Sequence, residues 1–233
     1  MQAPGGGGGG QPDIGQHEED LRLVHPRSGS TDYNYPFKRR KGTISGCIPM
    51  LPCVKRTIGR MGVFATTPDG EPTWMIGPCW PCLSVTYFLI IGISLTLFNA
   101  ILPHVHPALA GLSFGFLLFV LGALTMTACT NPGIIPRYTE QVSARWLWHG
   151  GAETYHAPEL KAYYCSDTQV MVHGHDHFCP WTGTVIAGAN LRYFYMFVSG
   201  LAALLFWIFF LVVFGQSTAM GGDGMAGKHQ RHP

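Results

Sequence analysis

The chain has 233 residues, of which 47% are hydrophobic and only 12% are charged, about half the usual charged fraction. This imbalance indicates a protein that lies in a lipid bilayer rather than an ordinary soluble domain. The net charge of +2 is too small to indicate nucleic-acid binding, and no basic stripe interleaved with aromatic residues is present. The seven cysteines, an odd number, argue against a secreted disulfide framework.

The first 82 residues divide into two segments. Residues 1–36 contain six consecutive glycines and few large apolar side chains. They predict a disordered tail, because such a segment cannot bury enough surface to offset its ordering entropy. Residues 37–82 begin with a basic run at 38–41 and predict a cytoplasmic juxtamembrane segment attracted to anionic headgroups; a solvated basic loop is an equal alternative. Within this segment, TPDGEPT at 67–73 indicates a turn or short hairpin.

Three uncharged apolar segments follow, at residues 83–102, 108–130 and 194–214. Each is roughly 20 residues long or slightly more, which is enough to cross the hydrocarbon core of a bilayer as a helix. The sequence therefore predicts an all-α polytopic membrane protein with three transmembrane helices. Its predicted parts are two helices within 83–130, a loop at 131–193, a third helix at 194–214 and a short tail at 215–233.

The distribution of basic residues predicts which side of the membrane the loop occupies. Nine of the 15 Lys and Arg residues precede the first span, and four lie between the second and third spans. Because cytoplasmic loops are enriched in Lys and Arg, the amino terminus and the loop at 131–193 are predicted to be cytoplasmic. The membrane itself would be the plasma membrane or an endomembrane such as the ER or Golgi.

A short cluster in the loop brings together three reactive residue types, Asp176, His177 and Cys179. A thiolate attacks carbonyl carbon, and a neighbouring imidazole held by a carboxylate takes the proton and stabilises the ion pair. The cluster therefore indicates an activated cysteine nucleophile. The alternative is a solvated turn, since Pro180 and Gly183 break regular structure.

The sequence around this cluster, DHFCPW at 176–181 followed by Gly183, Asn190 and Arg192, resembles the signature of the DHHC protein S-acyltransferases, or palmitoyltransferases. A second stretch, TNPGIIPR at 130–137, resembles the Asp-Pro-Gly motif of that family with Asn in place of Asp. The two motifs have the order and membrane position of the family. The resemblance covers residues 83–214 and identifies a divergent DHFC variant.

The resemblance implies a protein S-acyltransferase. Cys179 would attack the thioester of palmitoyl-CoA or a similar acyl-CoA, with His177 as its base and Asp176 orienting the imidazole. The acyl group would then pass to a cysteine of a membrane-associated substrate protein. Arg137 and Arg192, near the headgroup plane, would hold the CoA phosphates. A positive-inside flank explains these two arginines equally well.

The chain departs from the family at its zinc ligands. The second His of the DHHC motif and the cysteine six residues after the nucleophile, both zinc ligands in the family, are Phe178 and Val185 here. Upstream, only three potential ligands remain: Cys165, His173 and His175. The two histidines are interpreted as solvated loop residues, with a residual metal site as the alternative.

Four ligands cannot be assembled without borrowing the catalytic residues. Two zinc ions are therefore not expected, one is doubtful, and no metal-ligating residue is assigned. Because zinc would otherwise hold the loop rigid, the alternative to an enzyme is a catalytically impaired membrane scaffold derived from this family.

The other cysteines are weaker candidates. Cys79 and Cys82 form a C-x-x-C next to the first span, but no βαβ pattern surrounds them, which disfavours a thioredoxin-type role. Acylation of these juxtamembrane thiols is the preferred interpretation. Cys47, Cys53 and Cys129 are interpreted either as acylation sites or as inert buried thiols.

Overall fold

The computed structural model describes residues 32–36 and 54–220, with side chains as far as residue 214. It contains three long helices, α1 (Trp80–Ile101), α2 (Pro107–Cys129) and α3 (Leu191–Met220). The segments long and apolar enough to cross a membrane are Trp80–His104, Pro107–Cys129 and Leu191–Phe214. The prediction of three helices of membrane-spanning length is therefore confirmed.

Local sequence explains where α1 and α2 begin. Each helix has a proline in its first turn, where a missing N–H is tolerated. His106 precedes α2 as its N-cap, and its Nδ1 accepts a hydrogen bond from the Ala108 backbone N–H at 3.2 Å. A single 3₁₀ turn, Leu102–His104, joins the two helices, so they run as antiparallel neighbours.

The prediction of an all-α fold is wrong, because nine short strands accompany the helices in the described residues. They are β1 (Arg56–Ile58), β2 (Met61–Thr66), β3 (Pro72–Ile76), β4 (Leu147–His149), β5 (Thr154–His156), β6 (Ala162–Cys165), β7 (Val170–His173), β8 (His177–Cys179) and β9 (Thr184–Ile186). Strands β1, β2 and β3 form an antiparallel sheet, and the others form hairpins β4–β5, β6–β7 and β8–β9. Strands of three to six residues are too short to be recognised in the sequence by an alternation of apolar and polar residues.

The turn predicted at 67–73 joins β2 to β3. Its ends are held by a hydrogen bond from the Thr67 N–H to the Glu71 carbonyl at 2.8 Å. Gly70 takes the positive φ of +85° that the turn requires. This hairpin within the predicted juxtamembrane segment is therefore confirmed, whereas the basic run at 38–41 lies outside the described residues.

Residues 32–36, which the sequence placed at the end of a disordered tail, are part of the fold. Tyr33 and Tyr35 are buried, and the Tyr35 hydroxyl donates to the Ile135 carbonyl at 2.8 Å. Two aromatic side chains supply the apolar area that the glycine-rich sequence before them lacks. The rest of the predicted tail, residues 1–31, lies outside the described residues.

The sheet and the hairpins share one apolar core, at the end of the helices where α1 and α3 begin and α2 ends. We call this part, residues 32–36, 54–79 and 130–190, the cap. Isolated bridges join Trp74 to Thr130 and Ile134 to Val172, tying the sheet and hairpin β6–β7 to the chain that leaves α2. The fully buried members of the core include Ile58, Met75, Val170, Val172 and Val185.

A second core lies between the helices and is formed mainly by α2 and α3. Because lipid tails are as apolar as these side chains, a core between membrane-spanning helices is stabilised by close van der Waals packing and not by removal from water. Leu117, Val120 and Leu124 of α2 pack with Phe197, Leu204 and Ile208 of α3.

Candidate functional site

The Asp-His-x-Cys cluster lies on hairpin β8–β9. Its cross-strand pairs are His177 with Ile186, Phe178 with Val185, and Cys179 with Thr184. Successive side chains of a strand point to opposite faces, and directly paired residues share a face. His177 and Cys179 therefore lie on one face of the hairpin, and Phe178 lies on the other.

The two faces of the hairpin have different neighbours. Phe178 and Val185 pack into the core of the cap. On the opposite face, the His177 ring meets Phe194 of α3 edge-on, with ring centroids 5.1 Å apart. The imidazole and the thiol are thus presented on the face that is turned toward the helices.

Asp176 and His177 are in direct contact. The Asp176 Oδ2 lies 2.9 Å from the His177 Nδ1, and the Asp176 backbone N–H donates to the Ile186 carbonyl at 2.9 Å. A carboxylate at Nδ1 favours the tautomer with the proton on that atom, which leaves Nε2 as an acceptor. Both side chains are partly exposed, whereas Cys179 is only 8% exposed.

The turn of the hairpin is docked on the amino-terminal end of α1. The Cys79 N–H donates to the Gly183 carbonyl at 3.2 Å, and the Thr86 hydroxyl donates to the Trp181 carbonyl at 2.8 Å. The approach is so close that a Cβ atom at Gly77 would lie 2.0 Å from the Gly183 carbonyl oxygen. Position 77 must therefore be glycine if the hairpin that carries Cys179 is to pack this closely against the start of α1.

Asn190 fixes the other side of the hairpin. Its side chain is fully buried, and its Nδ2 donates to the carbonyls of Thr127, 3.1 Å away, and Val185, 3.0 Å away. Its Oδ1 accepts from the Ala187 N–H at 2.9 Å. Thr127 lies in the last turn of α2, where a helix leaves carbonyls without an internal partner. One amide thus joins the end of α2, strand β9 and the start of α3.

The hydrogen bonds of Asn131, in the TNPGIIPR stretch, explain why this position holds an amide side chain. Its Oδ1 accepts from the N–H groups of Gly133, at 3.0 Å, and Ile134, at 2.9 Å. Its Nδ2 donates to the Pro72 carbonyl at 2.8 Å, a bond that an aspartate could not make. The residue connects the chain leaving α2 to the beginning of β3, and this positions the cap.

The two arginines assigned to CoA phosphates have different surroundings. The Arg137 Nε donates to the Glu153 carbonyl at 3.0 Å, and Nη2 lies 3.5 Å from the Glu153 carboxylate. Another Arg137 nitrogen donates to the Asn34 carbonyl, so this guanidinium links parts of the cap. Arg192 is exposed, and its guanidinium lies 4.6 Å from the centre of the Tyr193 ring. Arg192 has the more accessible N–H groups.

The residues present do not fit the zinc site that the family resemblance implies. Phe178 and Val185, at two family ligand positions, are direct cross-strand partners. They pack with Cys165 in the apolar core. His175 stacks on Tyr163 with ring centroids 4.0 Å apart. Among the described residues, no three His, Cys, Asp or Glu side chains are grouped to hold a metal ion.

Cys79 and Cys82 form a disulfide, which differs from the expectation that both thiols are free for acylation. Cys129, Cys165 and Cys179 are the free cysteines among the described residues. Cys165 is buried on β6, whereas Cys179 lies on the same face of β8 as His177. Cys47 and Cys53 lie outside the described residues.

The sequence model of the DHHC palmitoyltransferase family matches residues 153–222. Palmitoyltransferase ZDHHC18-B of Danio rerio is 28% identical over 158 residues, which cover 54% of this chain and 40% of that protein. Palmitoyltransferase ZDHHC18 of Homo sapiens is 30% identical over 135 residues, covering 46% and 34%. Palmitoyltransferase ZDHHC14 of Homo sapiens is 28% identical over 138 residues, covering 46% and 28%.

The chain therefore spans less than half of the length of these relatives. The matched segment begins in the loop before β5 and contains β5, hairpins β6–β7 and β8–β9, and all of α3. It includes Asp176, His177 and Cys179. The resemblance is thereby confirmed: residues 153–222, which include the Asp-His-x-Cys cluster, match the DHHC palmitoyltransferase family.

Proposed function

We propose that the chain is a protein S-acyltransferase that moves palmitoyl or a similar acyl group from acyl-CoA, through Cys179, to a cysteine of a substrate protein. The observation that carries the proposal is the shared face of β8. There the Asp176 carboxylate contacts the His177 imidazole, and Cys179 follows two residues later on the same side. The family match supports protein palmitoylation at the level of the family.

The first half-reaction loads the enzyme. The His177 Nε2 takes the proton of the Cys179 thiol, and the Asp176 carboxylate stabilises the imidazolium through Nδ1. The thiolate attacks the thioester carbonyl, and the tetrahedral intermediate then expels CoA. The imidazolium returns its proton to the departing thiolate, so the products are acyl-Cys179 and free CoA thiol.

The second half-reaction transfers the acyl group. A substrate cysteine gives its proton to the His177 Nε2 and attacks the carbonyl of acyl-Cys179. Collapse of this intermediate releases the Cys179 thiolate, which recovers the proton. The low exposure of Cys179 limits the access of water, which would otherwise hydrolyse the thioester.

The position of the hairpin suits an amphipathic donor. Cys179 lies on the face turned toward the helices, so an acyl chain would extend into the apolar region while the CoA head stays in water. Arg192, exposed at the start of α3, is the better candidate for binding the CoA phosphates. Arg137 is engaged with Glu153, so its role in phosphate binding would require that contact to open.

The cap would face the cytoplasm, in the ER, the Golgi or the plasma membrane. Support comes from the charge distribution, because most Lys and Arg residues precede α1 or lie between α2 and α3. Both regions belong to the same end of the helices. The substrates would be proteins already held at that membrane surface by another anchor.

A specific observation favours a second candidate, a non-catalytic membrane scaffold. Two family ligand positions are occupied by apolar side chains, Phe178 and Val185. Catalysis needs reacting groups held closely in position. For catalysis, the apolar core of the cap must therefore hold the hairpin as rigidly as zinc ligation would. If it does not, the chain would be a membrane scaffold without catalytic activity.

The deciding experiment incubates the purified chain, in bilayer nanodiscs, with an alkyne analogue of palmitoyl-CoA. We expect a thioester adduct that hydroxylamine removes and that is absent from the Cys179→Ser variant. Cys129→Ser serves as the matched control and should label like the wild type. Equal labelling of Cys179→Ser would reject Cys179 as the nucleophile, and an unlabelled but folded wild type would favour the scaffold.

A further inference from the structure

The Thr184 hydroxyl makes no hydrogen bond that would stabilise the described part of the fold. The residue is fully buried, and its Oγ1 has no hydrogen-bond partner among the described residues. Leaving a buried polar group unpaired is unfavourable, so such groups are rare and call for a specific explanation. Its neighbour Thr182, by contrast, donates to the Cys179 carbonyl at 3.2 Å.

The position of Thr184 relative to the proposed nucleophile is fixed by the strand register. Thr184 on β9 is the direct cross-strand partner of Cys179 on β8. Directly opposed residues share a face, with Cβ atoms about 4.5–5.5 Å apart. An acyl carbonyl attached to the Cys179 sulfur would therefore lie within reach of the Thr184 hydroxyl.

The surroundings of the pair favour a strong interaction. Thr184 and Cys179 are both buried, on the hairpin face turned toward the helices. In a site from which water is excluded, a fixed donor stabilises developing negative charge far better than it would in water. The unpaired donor is thus placed where acyl transfer would create an oxyanion.

We propose that the Thr184 hydroxyl donates a hydrogen bond to the carbonyl oxygen of the acyl group reacting at Cys179. When the thiolate forms the new S–C bond, the carbonyl π electrons move to oxygen, and the hydroxyl stabilises this charge. Collapse restores the carbonyl and expels CoA, which is protonated by the His177 imidazolium. Thr184 keeps its proton throughout. The role rests on the proposed acyl transfer through Cys179.

The test compares the variants Thr184→Val and Thr184→Ser in single-turnover loading from palmitoyl-CoA. Valine keeps the shape and removes the hydroxyl, so we expect loading at saturating acyl-CoA to slow by about 100-fold, with little change in the acyl-CoA concentration for half-maximal rate. Serine keeps the donor and should recover most of the rate.

Hairpin β6–β7 offers a matched control. Thr168 is also fully buried with an unpaired hydroxyl, but it lies in the turn of the other hairpin. Thr168→Val should load like the wild type. Both valine variants should melt at or above the wild-type temperature, because each replaces an unpaired buried hydroxyl with a methyl group.

A structural role for Thr184 predicts a different result, in which Thr184→Val lowers the melting temperature and the loading rate together. That result, or a Thr184→Val variant that loads at the wild-type rate, overturns the inference while leaving the proposed function intact. A folded wild type that forms no Cys179 thioester rejects the proposed function, and the role of Thr184 is rejected with it.

Discussion

The two consecutive hairpins β6–β7 and β8–β9 each contain one buried cysteine, but they place it differently. Cys165 lies opposite Val170, within the apolar core of the cap. Cys179 lies opposite Thr184 and shares its face with His177. A thiol among apolar side chains is inert, whereas a thiol beside a base can be activated. Burial therefore does not distinguish the two cysteines, and the face that each occupies does.

The hairpins also differ in what covers them. Residues 170–172 of β7 are buried in the cap core. All three residues of β9 are buried too, but Val185 belongs to that core, while Thr184 and Ile186 lie on the opposite face. Hairpin β8–β9 is thus enclosed between the cap core and the helices. The face with Phe178 and Val185 fixes the hairpin in the cap core. The opposite face, with His177 and Cys179, is left available for the proposed reaction.

The largest expected effect tests whether the His177 imidazole is what makes Cys179 on hairpin β8–β9 more reactive than Cys165 on hairpin β6–β7. His177→Gln removes the proposed base beside Cys179, so loading of the thiol should slow by about 10²–10⁴-fold. His175→Gln changes the same residue type in the segment between the hairpins and should leave the rate unchanged. The measurement is single-turnover thioester formation. If His175→Gln slowed thioester formation while His177→Gln did not, His175 and not His177 would be the base.

A smaller effect tests the docking of β8–β9 on α1. Gly77→Ala would place a Cβ atom 2.0 Å from the Gly183 carbonyl oxygen, so the hairpin must shift. We expect a loss of about 1–3 kcal/mol in the free energy of unfolding, with slower loading of Cys179.

The matched control for this variant is Gly92→Ala, in the middle of α1. Its new Cβ atom would meet no other atom within 4 Å. Alanine is a better helix former, so the variant should be neutral or more stable by up to about 1 kcal/mol. Thermal unfolding in the same detergent compares the two. Equal stability of Gly77→Ala and the wild type would mean that the contact with Gly183 is not tight.

The smallest expected effect concerns the positions that zinc ligands occupy in the family. Because Phe178 and Val185 pair in the apolar core, a strong zinc chelator should leave the melting temperature and the loading rate unchanged. The control is the same chelator saturated with zinc beforehand. A fall in melting temperature with the free chelator, reversed by added zinc, would show that a metal stabilises the hairpins.

The sequence predicted those parts of the fold that depend on local information. The three apolar segments are long enough to identify by composition, and the turn at 67–73 has a distinctive run of turn residues. Asp176, His177 and Cys179 are also neighbours in sequence, so their proximity needed no knowledge of the fold. The helix bounds differ from the prediction by only a few residues at most ends.

Features that depend on distant contacts could not be predicted. The bonds of Asn190 reach Thr127 on α2 as well as β9, and the fit of Gly77 depends on the turn at Gly183. Likewise, the pairing of Arg137 with Glu153 becomes apparent only once hairpin β4–β5 is formed. The motif offset of Asn190 was a signal that this residue matters, but it did not reveal which groups the amide joins.

The two hydrogen bonds between α1 and the turn after Cys179 have a consequence for the behaviour of the protein in different lipids. They join Cys79 to Gly183 and Thr86 to Trp181, so the turn must follow any change in the orientation of the helix. Transmembrane helices change their tilt when the bilayer becomes thinner or thicker. We therefore expect the depth of the thiol to change with membrane thickness, so that Cys179 would be presented differently in a thin membrane and in a sterol-rich one.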